Sequence, residues 1–329
     1  MGRVDEWTEG ELAVITAAVS RAPSVHNTQP WLLRPACRSM ALLERADIAL
    51  PRHDPLGRDR LISCGAALTN LRLAVRQLGW AEQWAQFPDP ARPDVVAAVA
   101  VLDRAEPTIA ELAAYRSIRA RRSHRGPFTP DRVPADLLSV VAHASDVPGV
   151  YIRTVREPEL PELARVLVHS AAVHRHDRAY QRELAAWTTP GTRTGSGDGL
   201  VRAAGHRSLP WAGLVDRHTP LPDREVLACR LATESQLLIT TLGDGHGDHL
   251  RAGMALERVW LAAVAEGLAC SVLTQPLHVT ESRAGLIERL ELACYPQALL
   301  RVGHPAEIVP ASPRRPPGTV LRPDEEPAR

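Results

Sequence analysis

Five arginines (Arg116, Arg119, Arg121, Arg122, Arg125) fall within ten residues, and the stretch ends in Arg121-Arg122-Ser123-His124-Arg125. Guanidinium forks beside a serine hydroxyl suit a phosphate, whose oxygens accept paired, charge-assisted hydrogen bonds. The same residues could form a solvated face or grip RNA, so the stretch alone leaves its ligand open. A second segment, Ala22-Pro-Ser-Val-His-Asn-Thr-Gln-Pro-Trp31, carries two prolines, a short hydroxyl and two amides. Such a stiff loop offers neutral donors and acceptors to a flat heteroaromatic ligand, or is simply a turn-rich connection.

The rest of the 329-residue chain narrows these choices. Its 39 basic and 38 acidic residues leave a net charge of +1, so no global field draws it to nucleic acid or anionic lipid, and 4% aromatic content gives few stacking platforms. Every basic residue is arginine, which removes Schiff-base and P-loop lysines. Five cysteines, none in C-x-x-C spacing, argue against a disulfide framework or zinc knuckle and point to a reducing cytoplasm. Apolar runs are far shorter than the roughly 18 to 20 residues of a membrane span, and Met1 to Thr8 lacks the basic start of a signal peptide.

Other candidate groups weigh less. Gly243-Asp-Gly-His-Gly-Asp-His249 reads as a strand-to-helix turn with Asp248 as its N-cap rather than a metal site, and no metal is expected. His174 and His176 are expected on a solvated helix face, Cys270 and Cys294 in inert packing. No Ser-His-Asp arrangement is visible from spacing, and no catalytic acid or base is assigned.

The elements that must hold the two segments follow from periodicity. Thr8-x-x-Glu11 is a capping box ahead of a helix that Pro23 ends. Short strands are expected at Trp31 to Leu33 and Ala41 to Leu50. A long helix carrying Leu61, Cys64, Leu68, Leu71, Val75 and Leu78 closes at Gly79, and a buried strand runs from Val95 to Leu102. Asp103 to Pro107 is the expected boundary, dividing the chain into 1–105 and 106–329. The second half predicts helices near 134–145, 158–175, 177–186 and 249–266, with strands near 150–155, 236–242, 269–274 and 297–302. Thr188 to Pro222 is rich in Gly, Pro, Ser and Thr and long enough for a lid, in which Trp187 and Trp211 could cover a ligand. A proline-rich tail begins near Pro305.

The sequence also repeats itself. Gly65 to Ala81 aligns without a gap on Gly253 to Ala269 with seven identities: Gly65/Gly253, Ala67/Ala255, Leu68/Leu256, Leu73/Leu261, Ala74/Ala262, Gly79/Gly267 and Ala81/Ala269. Two tandem copies of one α+β unit are expected.

Together the two segments resemble the nitroreductase superfamily of FMN-binding proteins, with its R-[RH]-S-x-[KR] stretch and APSxxNxQPW loop. The resemblance covers about residues 8 to 315, apart from the lid. It implies a three-layer α+β fold. Arg121, Arg122, Ser123 and Arg125 would hold the FMN phosphate and reach the pyrimidine edge, and Pro23, Ser24, Val25 and Asn27 would line a flavin face. Val272, Leu273 and Thr274 would pass flavin N5, and Arg314 and Arg315 of the tail would close on the phosphate. The motifs come in reversed order here, and Ala144 to Gly149 is a degenerate second loop. That arrangement resembles the Acg-like branch, a pseudo-dimer fused in one chain with one composite site. The implied activity is hydride transfer from NAD(P)H through flavin to a nitroaromatic, quinone or similar small acceptor by a monomer or loose homodimer. An FMN-sequestering or sensing protein is the alternative.

Overall fold

The structure, a computed structural model, describes residues 6–190, 197–202, 215–221 and 223–322. The first half begins with α1 (Glu9–Val19), which carries the expected Thr8/Glu11 capping box. It continues through β1 (Trp31–Ala36), β2 (Ser39–Glu44), α2 (Arg58–Gln77), β3 (Trp80–Gln86) and β4 (Val95–Arg104). A capping box of Thr108 and Glu111 then opens α3 (Ile109–Ala120), which delivers the arginine stretch at its C-terminus. The second half contains α4 (Ala135–Ala142), β5 (Val150–Thr154), α5 (Leu160–His176), α6 (Arg178–Trp187), β6 (Thr188–Pro190) and β7 (Leu200–Arg202). It closes with α7 (Arg224–Leu231), β8 (Ser235–Thr241), α8 (His246–Ala265), β9 (Ala269–Leu273), α9 (Thr280–Arg289) and β10 (Tyr295–Gly303).

Two four-stranded sheets result, ordered β1-β2-β4-β3 and β5-β8-β10-β9, with antiparallel neighbours throughout. In each sheet the strand after the long helix lies at an edge and the last strand lies inside it. The long helices α2 and α8 both end in a left-handed glycine, Gly79 (φ 78°) and Gly267 (φ 75°), a conformation that favours glycine.

The two helices cross at Gly65 and Gly253. A Cβ on Gly65 would stand 2.0 Å from the Leu250 carbonyl oxygen, and one on Gly253 would stand 2.0 Å from that of Ile62. Each partner lies three positions before the opposite glycine, so the contact is reciprocal, as across a two-fold axis. Strands β8 and β10 explain their continuous apolar runs by burial on both faces. Leu237, Ile239, Leu300 and Val302 pack with α8, whereas Leu238 and Leu299 pack with α5, α7 and α9.

Some expectations are corrected. Helices α7 and α9 were not foreseen. Helix α8 begins at His246 with Gly245 as N-cap, and Asp248 sits in its first turn, accepting from the Gly245 N–H at 3.1 Å. His174 is buried, and its Nε2 donates to the Gln275 carbonyl at 3.1 Å, so only His176 is solvated. Cys294 lies between α9 and β10 and is only partly buried, whereas Cys270 is buried in β9. Among the described residues, no helix is long and apolar enough to cross a membrane.

Candidate functional site

Four elements bring the site together. After α1 the chain turns through Ser24 to Gln29 with three non-glycine residues in the left-handed region, His26 (φ 46°), Asn27 (φ 56°) and Gln29 (φ 51°). Backbone strain of this kind persists where surrounding contacts over-determine it. Here Gln29 N–H donates to Ser24 Oγ (3.0 Å) and Val25 N–H to Ser63 Oγ on α2 (3.1 Å). The arginine stretch runs beside the edge strand β9: Ser123 bridges Cys270 in parallel, and the His124 N–H donates to the Cys270 carbonyl at 2.8 Å. The tail returns to the first half, where Arg322 N–H donates to the Leu33 carbonyl (2.8 Å).

Between these elements lies a cleft of about 710 Å³, its mouth included. Pro23, Ser24 and Val25 line one side, and Ser123, Arg125, Val272 and Thr274 line another. Ile62, Ala66, Leu256 and Trp260 from the crossing helices supply apolar walls. The Arg125 guanidinium makes no hydrogen bond or ion pair among the described residues, and burial pushes its pKa down to about 10. A half-buried cation without a counter-charge on the wall suits a ligand carrying negative charge or acceptor oxygens there.

Ser123 also lines a narrower basic pocket with Arg121, Arg122, Arg314, Ala311, Ser312, Ile118 and Arg21. Arg21 was missed by the sequence reading because it precedes the loop rather than belonging to the arginine stretch. Arg121 is buried, with Nε 3.5 Å from Glu257, its guanidinium 4.6 Å from the Trp260 ring centroid and Nη2 donating to the Arg21 carbonyl at 2.8 Å. Glu257 is fully buried, which raises its pKa to about 7 against the pull of Arg121. Burial and the neighbouring Arg121 and Arg21 push Arg314 down to about 9. This concentration of like charge matches a phosphate, each of whose oxygens can take several donors.

Three expected residues are not on the cleft wall. Leu273 is 1% exposed and packs in the outer core with Leu238 and Leu299, because strand alternation turns it away from Val272 and Thr274. Asn27 ties segments together: its Nδ2 donates to the carbonyls of Gly197 (3.4 Å), Gly199 (3.1 Å) and Pro313 (3.0 Å), and its Oδ1 accepts from Arg314 (2.9 Å). Arg315 is engaged with Asp198 through Nε at 3.2 Å, and its N–H donates to Gln29 Oε1 at 3.0 Å. Trp187 ends α6, while Trp211 and most of the expected lid lie outside the described residues.

At one end of the cleft stand His26, His53, Asp59 and Gln275, a group the sequence reading did not find. His53 Nε2 is 3.1 Å and His278 Nε2 3.0 Å from the same oxygen of Asp59, Oδ2. His53 and Asp59 are six positions apart with no recognisable pattern, and His278 joins them only where α2 meets the turn after β9.

A two-sheet chain with a basic pocket that shares Ser123 with a partly apolar cleft offers room for a ligand that carries a phosphate. No protein-family model matches the chain. It is 34% identical over 309 residues to the Mycobacterium tuberculosis protein Rv3131, named as an NAD(P)H nitroreductase, with 92% of this chain and 88% of that protein covered. To the Acg protein of the same organism, also named as an NAD(P)H nitroreductase, it is 31% identical over 323 residues, 92% of this chain and 93% of that protein. Among solved structures it is similar to the FMN-dependent nitroreductase NfnB of Mycobacterium smegmatis in complex with NADPH: 17% identity, 62% of this chain, 93% of that chain, TM-score 0.39. The corresponding values for an FMN-bound nitroreductase of Bacteroides fragilis are 17%, 60%, 90% and 0.38. The chain belongs to the nitroreductase family, in its Acg-like branch.

Proposed function

We propose that the chain binds one FMN in the cleft and passes hydride from NAD(P)H to a nitroaromatic, quinone or similar small acceptor. The observation that carries this reading is Arg125, a half-buried cation lining the cleft without a partner among the described residues, beside a pocket of four further arginines. FMN, when bound, supplies the two-electron carrier. Arg21, Arg122, Ser123 and Arg314 would hold the phosphate, with Arg121 as the buried cation behind them. Arg125 would stabilise negative charge at the N1 and C2=O edge. Pro23, Ser24 and Val25 would lie against one ring face, and Val272 and Thr274 near N5. The halves 1–105 and 106–329 are read as duplicated units fused into a pseudo-dimer, supported by the shared strand order and the reciprocal glycine contact. Five unpaired cysteines accord with a reducing cytoplasm.

Titration of the flavin-free chain with FMN, followed by flavin fluorescence, tests the reading. Arg125→Gln should weaken binding about 10- to 150-fold, the worth of a charged hydrogen bond at roughly 1.5–3 kcal/mol. A wild-type chain that takes up no FMN refutes it. Storage of the flavin is a second reading, favoured by one observation: Asn27 and Gln29 clasp the backbone of Gly197 beside the tail. Acceptor-dependent oxidation of NAD(P)H distinguishes the two.

A further inference from the structure

Reducing a quinone or nitro group consumes a proton as well as a hydride, and the cleft wall offers few groups to give one. Arg125 remains cationic, and the serine and threonine hydroxyls hold their protons near neutral pH. His26, His53 and Asp59 remain. We propose that His53, oriented by Asp59, delivers the proton to the acceptor and is a catalytic residue of this site. The inference rests on the FMN reading above.

The geometry selects His53 among the three. Asp59 is buried, which opposes its charge, but His278, His53 and Arg58 around it hold its pKa well below the usual carboxylate range. Its Oδ2 accepts from Thr274 Oγ1 and lies 3.1 Å from His53 Nε2. An ionised oxygen fixes the imidazole proton on Nε2 and leaves Nδ1 as the exchanging atom, the logic of a carboxylate-oriented histidine base. His53 Nδ1 is buried and makes no hydrogen bond. The backbone is held from the far side, where the N–H groups of Arg52 (3.0 Å) and His53 (2.7 Å) donate to Glu183 of α6.

The groups facing His53 are His26 (ring centroids 4.5 Å apart), His278 (4.8 Å), Tyr180 (6.0 Å) and Asp59. Burial lowers the pKa of both His26 and His278, and half-buried His278 links the cluster toward solvent. His53, Asp59 and His278 also have the spacing of metal ligands, their atoms lying within 4.8 Å of one another. Against a cation stand Arg58, 3.6 Å from Asp59 Oδ1, and Arg125 on the cleft wall, which together would face a dication with two like charges.

The step balances as acceptor plus NAD(P)H plus one proton giving the reduced acceptor and NAD(P)⁺. The electron pair leaves the nicotinamide as hydride. The acceptor oxygen takes the proton from Nδ1 of the His53 imidazolium, and water restores that proton through the cluster.

Two measurements on the full chain test this. Nitrogen-15 NMR of the flavin-free protein should show His53 as the Nε2–H tautomer in the wild type and a tautomer mixture in Asp59→Asn. Both His53→Gln and Asp59→Asn should take up FMN, keep the rate of flavin bleaching by NADPH, and lower steady-state quinone reduction about 100- to 10,000-fold, as loss of a general acid does. If His53→Gln fails to take up FMN, Asp59→Asn, which keeps its shape, carries the same comparison. Turnover within fivefold of wild type in a flavin-loaded variant, or an Nδ1–H tautomer in the wild type, overturns the proton role alone. A wild type that binds no FMN overturns the underlying reading and this one with it.

Discussion

The crossing of α2 and α8 sets the width of the cleft, because Ile62 and Ala66 on one helix and Leu256 and Trp260 on the other are its walls. Adding a methyl group at Gly65 tests that dependence. Its Cβ would fall 2.0 Å from the Leu250 carbonyl oxygen and 2.8 Å from Met254 N, backbone atoms with no rotamer to move aside. Raising the first contact to even 3.0 Å requires the helix axes to part by about 1 Å. A gap of roughly 0.5–1 Å forfeits about a quarter to a half of the dispersion well of every atom pair across the crossing. Gly65→Ala should therefore cost about 3–5 kcal/mol in urea unfolding, at the severe end for overpacking. Gly253→Ala, whose Cβ would meet Ile62 O at the same 2.0 Å, should cost a similar amount. One separation accommodates both methyl groups, so the double variant should cost clearly less than the sum. A loss below about 1 kcal/mol for either single variant, or strict additivity, would refute the shared-crossing argument.

Asn27→Ala removes the side-chain donor to the carbonyls of Gly199 and Pro313 and one of the acceptors of Arg314, so hydrogen exchange around 197–199 and 313–315 should accelerate about 10-fold or more and FMN should bind less tightly. Exchange as slow as in the wild type would remove the clasp. Burial lowers the pKa of His174 to about 4 from 6.5, so the unfolded state binds the proton first as the solution is acidified. The stabilisation is complete above pH 6.5 and lost as pH falls through 4, worth roughly 3 kcal/mol. His174→Gln, which can keep a donor to the Gln275 carbonyl, should flatten that part of the stability profile, and an unchanged slope would contradict the burial of the imidazole.

Sequence patterns revealed the site where local chemistry is self-contained. Ser24 and Ser123 belong to compact segments whose composition advertises a ligand, and the fold brings both to one cleft. Side-chain direction was harder to read. Val272 and Thr274 face the cleft and Leu273 the core by simple alternation, so only two of the expected triplet could share a wall. His174 likewise stands seven residues after Leu167, on the stripe that buries Leu160, Leu163 and Ala171, so its burial had a signal. The α7 N-cap, Asp223, was legible too, accepting from the Glu225 N–H at 2.8 Å. No pattern gives His53, Asp59 and His278, because their proximity depends on how α2 docks against the end of β9. Arg315 could not be separated from Arg314 without knowing that Asp198 would claim it.

One FMN per chain is expected, because the proposed duplication places a second junction opposite the cleft and side chains meet across it. The alignment that pairs Gly65 with Gly253 also pairs Asp59 with Gly247, Ser63 with Arg251 and Thr274 with Gln86. In the cleft, Thr274 meets the Asp59 carboxylate and Ser63 receives the Val25 N–H of the loop. At the opposite junction, Arg251 Nη1 donates to Gln86 Oε1 at 3.0 Å, and a Cβ on Gly247 would touch the Gln86 amide at 3.3 Å. The Phe87 and His246 rings stand 6.3 Å apart, and Arg258 pairs with Asp146 of the degenerate loop. Side chains thus meet across this junction, and residues 1–21 contain no arginine-serine stretch to serve a ligand there. Flavin released by denaturation and measured against protein should approach one equivalent. Opening the second junction with Arg251→Ala and Gln86→Ala should leave that value at one, since space alone supplies no phosphate ligands. A wild-type value near two would show that the second junction still binds and that the filled-junction argument is wrong.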